Sequence, residues 1–313
     1  MTVRFAKPEI NVGKGSLKEI GSIIKSGWFC EGKYVSALED HFKEKFKVKY
    51  AVACSSATQG LVVAFKAAGI KNMKVGVPAF TWPSTLYALE CNNNIPMFMD
   101  IDFEDWTMKC GYSDDYFDAY IPVDTFGAYS FIDTIKPVIY DAAHSYNTED
   151  IGSRGIAEVV SLSFTKPVTA MQGGVLLTND EDIYFKSKEL VRLSCKLCEI
   201  NAYVCLKSID QFIERERTKN NLIDLYKSLI EVPYKTQENK SPSTFCILLQ
   251  TQEKRDRIVE LFKKNEIEVK VYYEPLSTGL RNTDEIFSKI IALPTYEDIY
   301  KSIHLITSII NEA

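Results

Sequence analysis

Residues Ser161–Asp180 read SLSFTKPVTAMQGGVLLTND. Two short runs of strand-forming residues, Val159–Phe164 and Gly174–Thr178, enclose a turn that carries Lys166, Pro167 and the Gly173–Gly174 pair. Both runs are almost continuously apolar instead of alternating, the pattern of strands buried on both faces of a sheet that helices cover. A lysine in such surroundings is not an ordinary solvated one. Burial lowers an ammonium's pKa and leaves an amine able to attack a carbonyl as a Schiff-base nucleophile.

Working outward, runs of the same kind occur at Tyr50–Cys54, Val75–Pro78, Pro96–Ile101, Tyr120–Val123 and Val138–Tyr140, with helix-like segments at Ala57–Ala68 and Ser84–Cys91 between them. Alternating strand and helix with right-handed crossovers predicts an α/β fold around a mostly parallel seven-stranded sheet. Gly15–Ser26 and Val35–Phe46 precede it, each with apolar residues at helical spacing. Beyond Glu181 the strand signal fades into helix, with Leu206, Ile209, Phe212, Leu222, Leu225 and Leu229 as its apolar positions. A strand at Phe245–Leu249, a helix at Lys254–Lys264, a strand at Val269–Tyr273 and a helix at Tyr296–Ile310 then form a smaller α+β unit. The expected division is a large domain over residues 1–200, followed by a linker helix and small domain over 201–313. The length of 313 residues fits about two domains.

Composition narrows the partners. The chain is 46% hydrophobic and 25% charged, which is globular, and its net charge of -5 gives no basic excess for a phosphate backbone, so nucleic acid is not expected. No apolar run is long enough for a membrane span, and MTVRFAKPEI lacks the apolar core of a signal peptide, so a soluble cytoplasmic protein is expected. Of the eight cysteines, Cys54 and Cys91 read as buried thiols. Cys195 and Cys198 form a single CxxC without a second pair or a nearby histidine. Helical packing is therefore expected there, with no metal.

Four segments follow strand ends, the edge at which ligands bind an open α/β sheet. CSSATQGL at Cys54–Leu61 runs through small hydroxyl residues into a helix, where free N–H groups and the helix dipole favour an anion; a plain N-cap by Ser55 or Ser56 is the alternative. PAFTWPST at Pro78–Thr85 sets Trp82 in a polar turn, placed either to stack on a ligand or to pack beneath a loop. VIYDAAH at Val138–His144 sets Asp141 at the end of a buried strand, where a carboxylate needs a cationic or donor partner, and adds His144. Lys166 completes the set. An anion cradle, a stacking ring, a carboxylate and a lysine are together what pyridoxal 5'-phosphate requires.

In this order the segments resemble the DegT/StrS family of sugar aminotransferases, of PLP fold type I. SGWFCEG at Ser26–Gly32 is similar to the family's SGW-x-x-x-G opening. Ser56, Ala57, Thr58 and Leu61 match its SGT-x-AL phosphate turn, with Ala57 in the glycine's place. PAFTW, YDAAH, the later EVKVYYEPL at Glu268–Leu276 and IALP at Ile291–Pro294 resemble further family segments. The resemblance implies that Lys166 carries the cofactor covalently and that Asp141 pairs with the pyridine nitrogen. It also implies that Trp82 stacks on the ring, that His144 lies near the phenolic oxygen, and that Ala57, Thr58 and Ser161 contact the phosphate.

The resemblance further implies a homodimer whose sites draw on both subunits, with Ser194 and Lys196 standing where the family has the asparagine and arginine of an N-x-R segment. Most of the long loop that precedes that segment in the family is absent after Asp180. Gln172 replaces an acidic residue common before the glycine pair, and Pro167 lacks a backbone donor. The implied activity is amino transfer from glutamate to a nucleotide-linked keto sugar, for amino-sugar and polysaccharide biosynthesis. A small phosphorylated ketone as acceptor, or a non-catalytic regulatory or assembly protein of the same fold, are the competing readings. A Rossmann dehydrogenase is disfavoured, since no G-x-G-x-x-G follows the first strand.

Overall fold

The computed structural model describes residues 2–8, 10, 13–109 and 114–313. Helices α1 (Lys14–Ser26) and α2 (Lys33–Phe46) lead into a βα alternation. Its members are β1 (Tyr50–Cys54), α3 (Ala57–Ala67), β2 (Lys74–Pro78), α4 (Pro83–Glu90), β3 (Ile95–Met99), β4 (Ala119–Tyr120), β5 (Ile139–Asp141), β6 (Ala157–Ser161) and β7 (Gly174–Thr178). One ladder runs β1-β7-β6-β5 and another β3-β2-β4. Parallel bridges Tyr120↔Val138 and Val123↔Asp141 join the two between β4 and β5. Only β7 opposes its neighbours; the remaining strands run one way.

The period of two along each strand divides the core. From β1, Ala51 and Ala53 face one layer with Val160 of β6 and Val175 and Leu177 of β7. There Leu38 and Phe42 of α2 cover them. The alternate residues Val52, Cys54, Val159 and Leu176 face the other layer, under Leu61, Ala64 and Phe65 of α3. These strands have no solvent side, which is why they read as unbroken apolar runs.

Helix α5 (Glu181–Ser194) packs against α3 and β1, and α6 (Glu199–Asp210) sends Ala202 and Cys205 into the α2 layer. The link between them is extended, not helical. Lys196 pairs with Cys54 and Cys198 with Cys30 in antiparallel bridges, and Ser55 N–H donates to the Cys195 carbonyl at 2.8 Å. The expectation of helical packing at the CxxC is therefore corrected: strand-like bonds to the β1 edge hold this link straight. Cys54 is buried as expected, but Cys91, at the solvent-facing end of α4, is exposed.

Helix α7 (Phe212–Leu229) leads to the C-terminal core. There β8 (Phe245–Leu248) and β9 (Ile290–Leu293) pair antiparallel beneath α8 (Gln252–Lys264) and α10 (Ile303–Glu312), with α9 (Arg281–Lys289) before β9. The strand expected at Val269–Tyr273 is reduced to one bridge, Lys270↔Ala292. Beyond it Tyr272 and Tyr273 turn into an aromatic cluster with Phe80 and Phe126, so the ladder is not extended. The helix expected over Tyr296–Ile310 divides into a 3-10 turn at Glu297–Lys301 and α10.

Candidate active site

Because β1, β2, β5 and β6 are parallel, their C-terminal ends open on one edge of the sheet. A cavity of about 460 Å³ lies there, within the range of small-molecule and cofactor sites. Its lining includes Ala57, Thr58, Trp82, Asp141, His144, Ser161 and Lys166, residues separated by more than a hundred positions in the chain.

The turn from β1 into α3 supplies the floor. Ser56 is the N-cap, its Oγ accepting from Gln59 N–H at 3.2 Å. The cap and the anion site are therefore compatible: Ser56 meets one orphan donor of the first turn, and the N–H groups of Ala57 and Thr58 remain at the positive end of the helix. Gly174 backs this turn. A Cβ there would stand 2.5 Å from Ala57 N, so only glycine lets β7 approach so closely.

Asp141 ends β5 wholly buried. Thr85 donates to its Oδ2 at 2.7 Å and Ala143 N–H to its Oδ1 at 3.2 Å, while Thr81 hydrogen-bonds Thr85 at 3.0 Å. Burial pushes the Asp141 carboxyl above its usual range, against the Thr85 bond and the Lys166 charge. Lys166 is half-buried, and desolvation brings its amine down to about 7, with Asp141 opposing the shift. At neutral pH a large share of Lys166 is thus the free amine that carbonyl chemistry requires.

Its Nζ hydrogen-bonds Nε2 of His144, which also meets the Tyr273 hydroxyl at 3.2 Å. Nδ1 of His144 meets Ser243 Oγ at 2.6 Å. Burial, and then the Lys166 charge, hold His144 well below its usual pKa, so it is neutral and can accept or donate according to its tautomer. Ser243 and Tyr273 were not singled out from the sequence. Tyr273 sits in the EVKVYYEPL segment that carries the family resemblance, but Ser243 has no signal in its flanking SPST. Tyr272, Tyr273 and Trp82 form an aromatic wall, with ring centroids 6.5 and 6.4 Å from Trp82 to the two tyrosines. Trp82 is 57% exposed at the N-cap of α4, open to a ligand instead of packed under a loop.

A network the sequence did not disclose braces this edge. Arg154, buried, binds Asp124 with both terminal nitrogens at 2.8 Å and Glu158 of β6 at 2.6 Å, and lies over the Tyr140 ring. Asp124 N–H in turn donates to the Asp141 carbonyl at 3.0 Å, tying the network to β5. Glu158 within the apolar run AEVVS was the available signal, since a carboxylate there demands a cation.

The family model of DegT/DnrJ/EryC1/StrS aminotransferases matches residues 11–308. The chain belongs to that family. DegT/DnrJ/EryC1/StrS membership makes it an aminotransferase, and solved structures agree on the fold. Helicobacter pylori PseC, an aminotransferase involved in the biosynthesis of pseudoaminic acid, superposes with a TM-score of 0.87 at 17% identity, covering 100% of this chain and 99% of that one. DesI, solved in the presence of its TDP-sugar product, gives 0.85 at 21% identity over 97% and 91%. The PLP-form of Spr1654 from Streptococcus pneumoniae gives 0.85 at 17% over 100% and 99%. At such identities the likeness is one of fold.

The remaining sequence candidates of this DegT/DnrJ/EryC1/StrS member fall unevenly. Gln172 lines the cavity. Ser194 does not: it is exposed at the end of α5, its Oγ donating to the Leu190 carbonyl. Lys196 pairs with Glu31 at 2.9 Å, outside the cavity.

Proposed function

We propose that this aminotransferase uses pyridoxal 5'-phosphate to move an amino group from glutamate to a nucleotide-linked keto sugar in amino-sugar biosynthesis. The observation that carries the proposal lies at the strand ends: the desolvated Lys166 amine, brought down to about 7, shares one cavity with the buried Asp141 carboxylate and the capped N-terminus of α3. These residues fit a phosphorylated pyridine aldehyde, because the desolvated Lys166 amine, the anion-accepting turn before α3 and the buried Asp141 carboxylate share a single cavity, whose lining also includes Glu268 and Lys270.

In this reading Lys166 would hold the cofactor through its carbonyl carbon. Ala57, Thr58 and Ser161 bind its phosphate, Trp82 covers the ring, and Asp141 holds a proton on the ring nitrogen. When bound, pyridoxal phosphate supplies an electrophilic carbon for the donor amine and a ring that accepts electrons. Lys166 Nζ would serve as the general base for the donor's Cα proton and then as the general acid that delivers it to the cofactor's carbonyl carbon. Thr85, itself hydrogen-bonded to Thr81, aims the Asp141 carboxylate and opposes the rise that burial imposes. His144, fixed between Ser243 and Tyr273, shares its Nε2 with Lys166 and orients the amine. By family resemblance two subunits complete each site, Ser194 reaching the partner's cofactor, and the chain divides near residue 200.

Turnover of glutamate with a panel of nucleotide-linked keto sugars and small ketone phosphates tests the acceptor. Activity on the nucleotide sugars supports the proposal, and activity confined to the small phosphates replaces it with the competing acceptor.

A further inference from the structure

The CxxC motif does not line the cavity, and its two cysteines are not placed to pair with each other. Cys195 is buried in the layer beneath α3, whereas Cys198 is exposed. Cys198 instead stands directly across an antiparallel bridge from Cys30 in the segment SGWFCEG. Glu199 N–H donates to the Phe29 carbonyl at 2.8 Å, which makes the Cys30–Cys198 pair one without ladder bonds of its own. At such positions the Cα atoms lie about 4.5 Å apart and the side chains are closest, within the Cα separation of about 4.4 to about 6.8 Å that a disulfide spans. Cys198 lies near enough to act on the Cys30 thiol.

We infer that Cys30 and Cys198 are a site of reversible disulfide formation, oxidised by a low-molecular-weight disulfide such as oxidised glutathione. Cys198, the more exposed thiol, attacks one glutathione sulfur as its thiolate. A Cys198–glutathione disulfide forms, and one reduced glutathione leaves with the proton. The Cys30 thiolate then attacks the Cys198 sulfur, the Cys30–Cys198 bond forms, and the second glutathione leaves. Two thiols are oxidised and one glutathione disulfide is reduced to two thiols. Burial, and then the neighbouring Cys198, push the Cys30 thiol up, which suits it to the second step and not the first.

The segments being joined are already pre-set. Glu199, next to Cys198, accepts N–H bonds from Gly32, Tyr34 and Val35 at 3.0, 2.9 and 3.0 Å. Gly32 permits this, since a Cβ would stand 2.8 Å from the Glu199 carboxylate. The same link is bonded to Cys54 and Ser55, two residues ahead of the anion-binding turn. The cross-link would therefore join the SGWFCEG segment to the edge of the cofactor floor.

The test is to incubate the holoenzyme with oxidised glutathione and map its peptides with and without reduction. The expected result is loss of two of the eight thiols, a reducible Cys30–Cys198 peptide, and no glutathione retained. Cys195→Ser should cross-link as the wild type does, and Cys30→Ser should retain one glutathione on Cys198. A wild-type protein that retains glutathione without the cross-link, that links Cys195 to Cys198, or that keeps all its thiols overturns the inference. The wild-type map decides the matter even where a variant folds poorly.

Discussion

Replacing Lys166 by methionine should stabilise the cofactor-free protein, and by an amount that depends on pH. The native amine loses its proton near about 7, while in the unfolded chain it keeps it to an ordinary value of 10.5. Between these values the unfolded state binds more protons, so stability contributed by this residue rises with pH. Below pH 7 both states are protonated and the cost of burying the ammonium is complete. A separation of about 3.5 units at ~1.4 kcal/mol each makes that cost about 5 kcal/mol, an upper value because Asp141 loses its cation in the variant. At about pH 9 the remaining cost is about 2 kcal/mol. Urea unfolding of wild type and Lys166→Met should therefore show a large gap in favour of the variant at about pH 6, narrowing by roughly 3 kcal/mol at about pH 9. A gap that is constant with pH, or that widens in alkali, would refute the desolvated, proton-shedding lysine.

Other perturbations have separate readouts. Arg154→Met leaves Asp124 and Glu158 as buried carboxylates without their cation, and should cost about 3–5 kcal/mol in a urea titration. Gly174→Ala should displace the turn before α3, costing about 1–3 kcal/mol by unfolding and weakening PLP binding in a fluorescence titration. Glu199→Ala strips an acceptor from three N–H groups, and a drop of about 1–3 kcal/mol should appear with faster hydrogen exchange at Gly32, Tyr34 and Val35.

The large sheet was legible because its strands are buried on both faces: Val52 and Ala53 serve opposite layers, so neither position can be polar. The site was legible because a parallel sheet delivers every strand end to one edge, and Thr58, Trp82, Asp141 and Lys166 all follow strands. What stayed hidden depends on long-range pairing. Ser243 reaches His144 across 99 positions, and Cys30 faces Cys198 only because the α5–α6 link is held extended by the β1 edge. Val269–Tyr273 has strand composition, but its tyrosines are drawn into contact with Phe80 and Phe126, an aromatic packing that local propensity does not register. Ser194 was placed by resemblance alone, and in a single chain it faces solvent.

Absorbance spectroscopy of the purified protein with PLP, followed by glutamate and then a nucleotide-linked keto sugar, tests the central claim most directly. The wild type should gain a cofactor band that Lys166→Ala lacks, glutamate should discharge it, and the keto sugar should restore it. A band identical in Lys166→Ala, or one that glutamate leaves unchanged, would contradict amino transfer at Lys166.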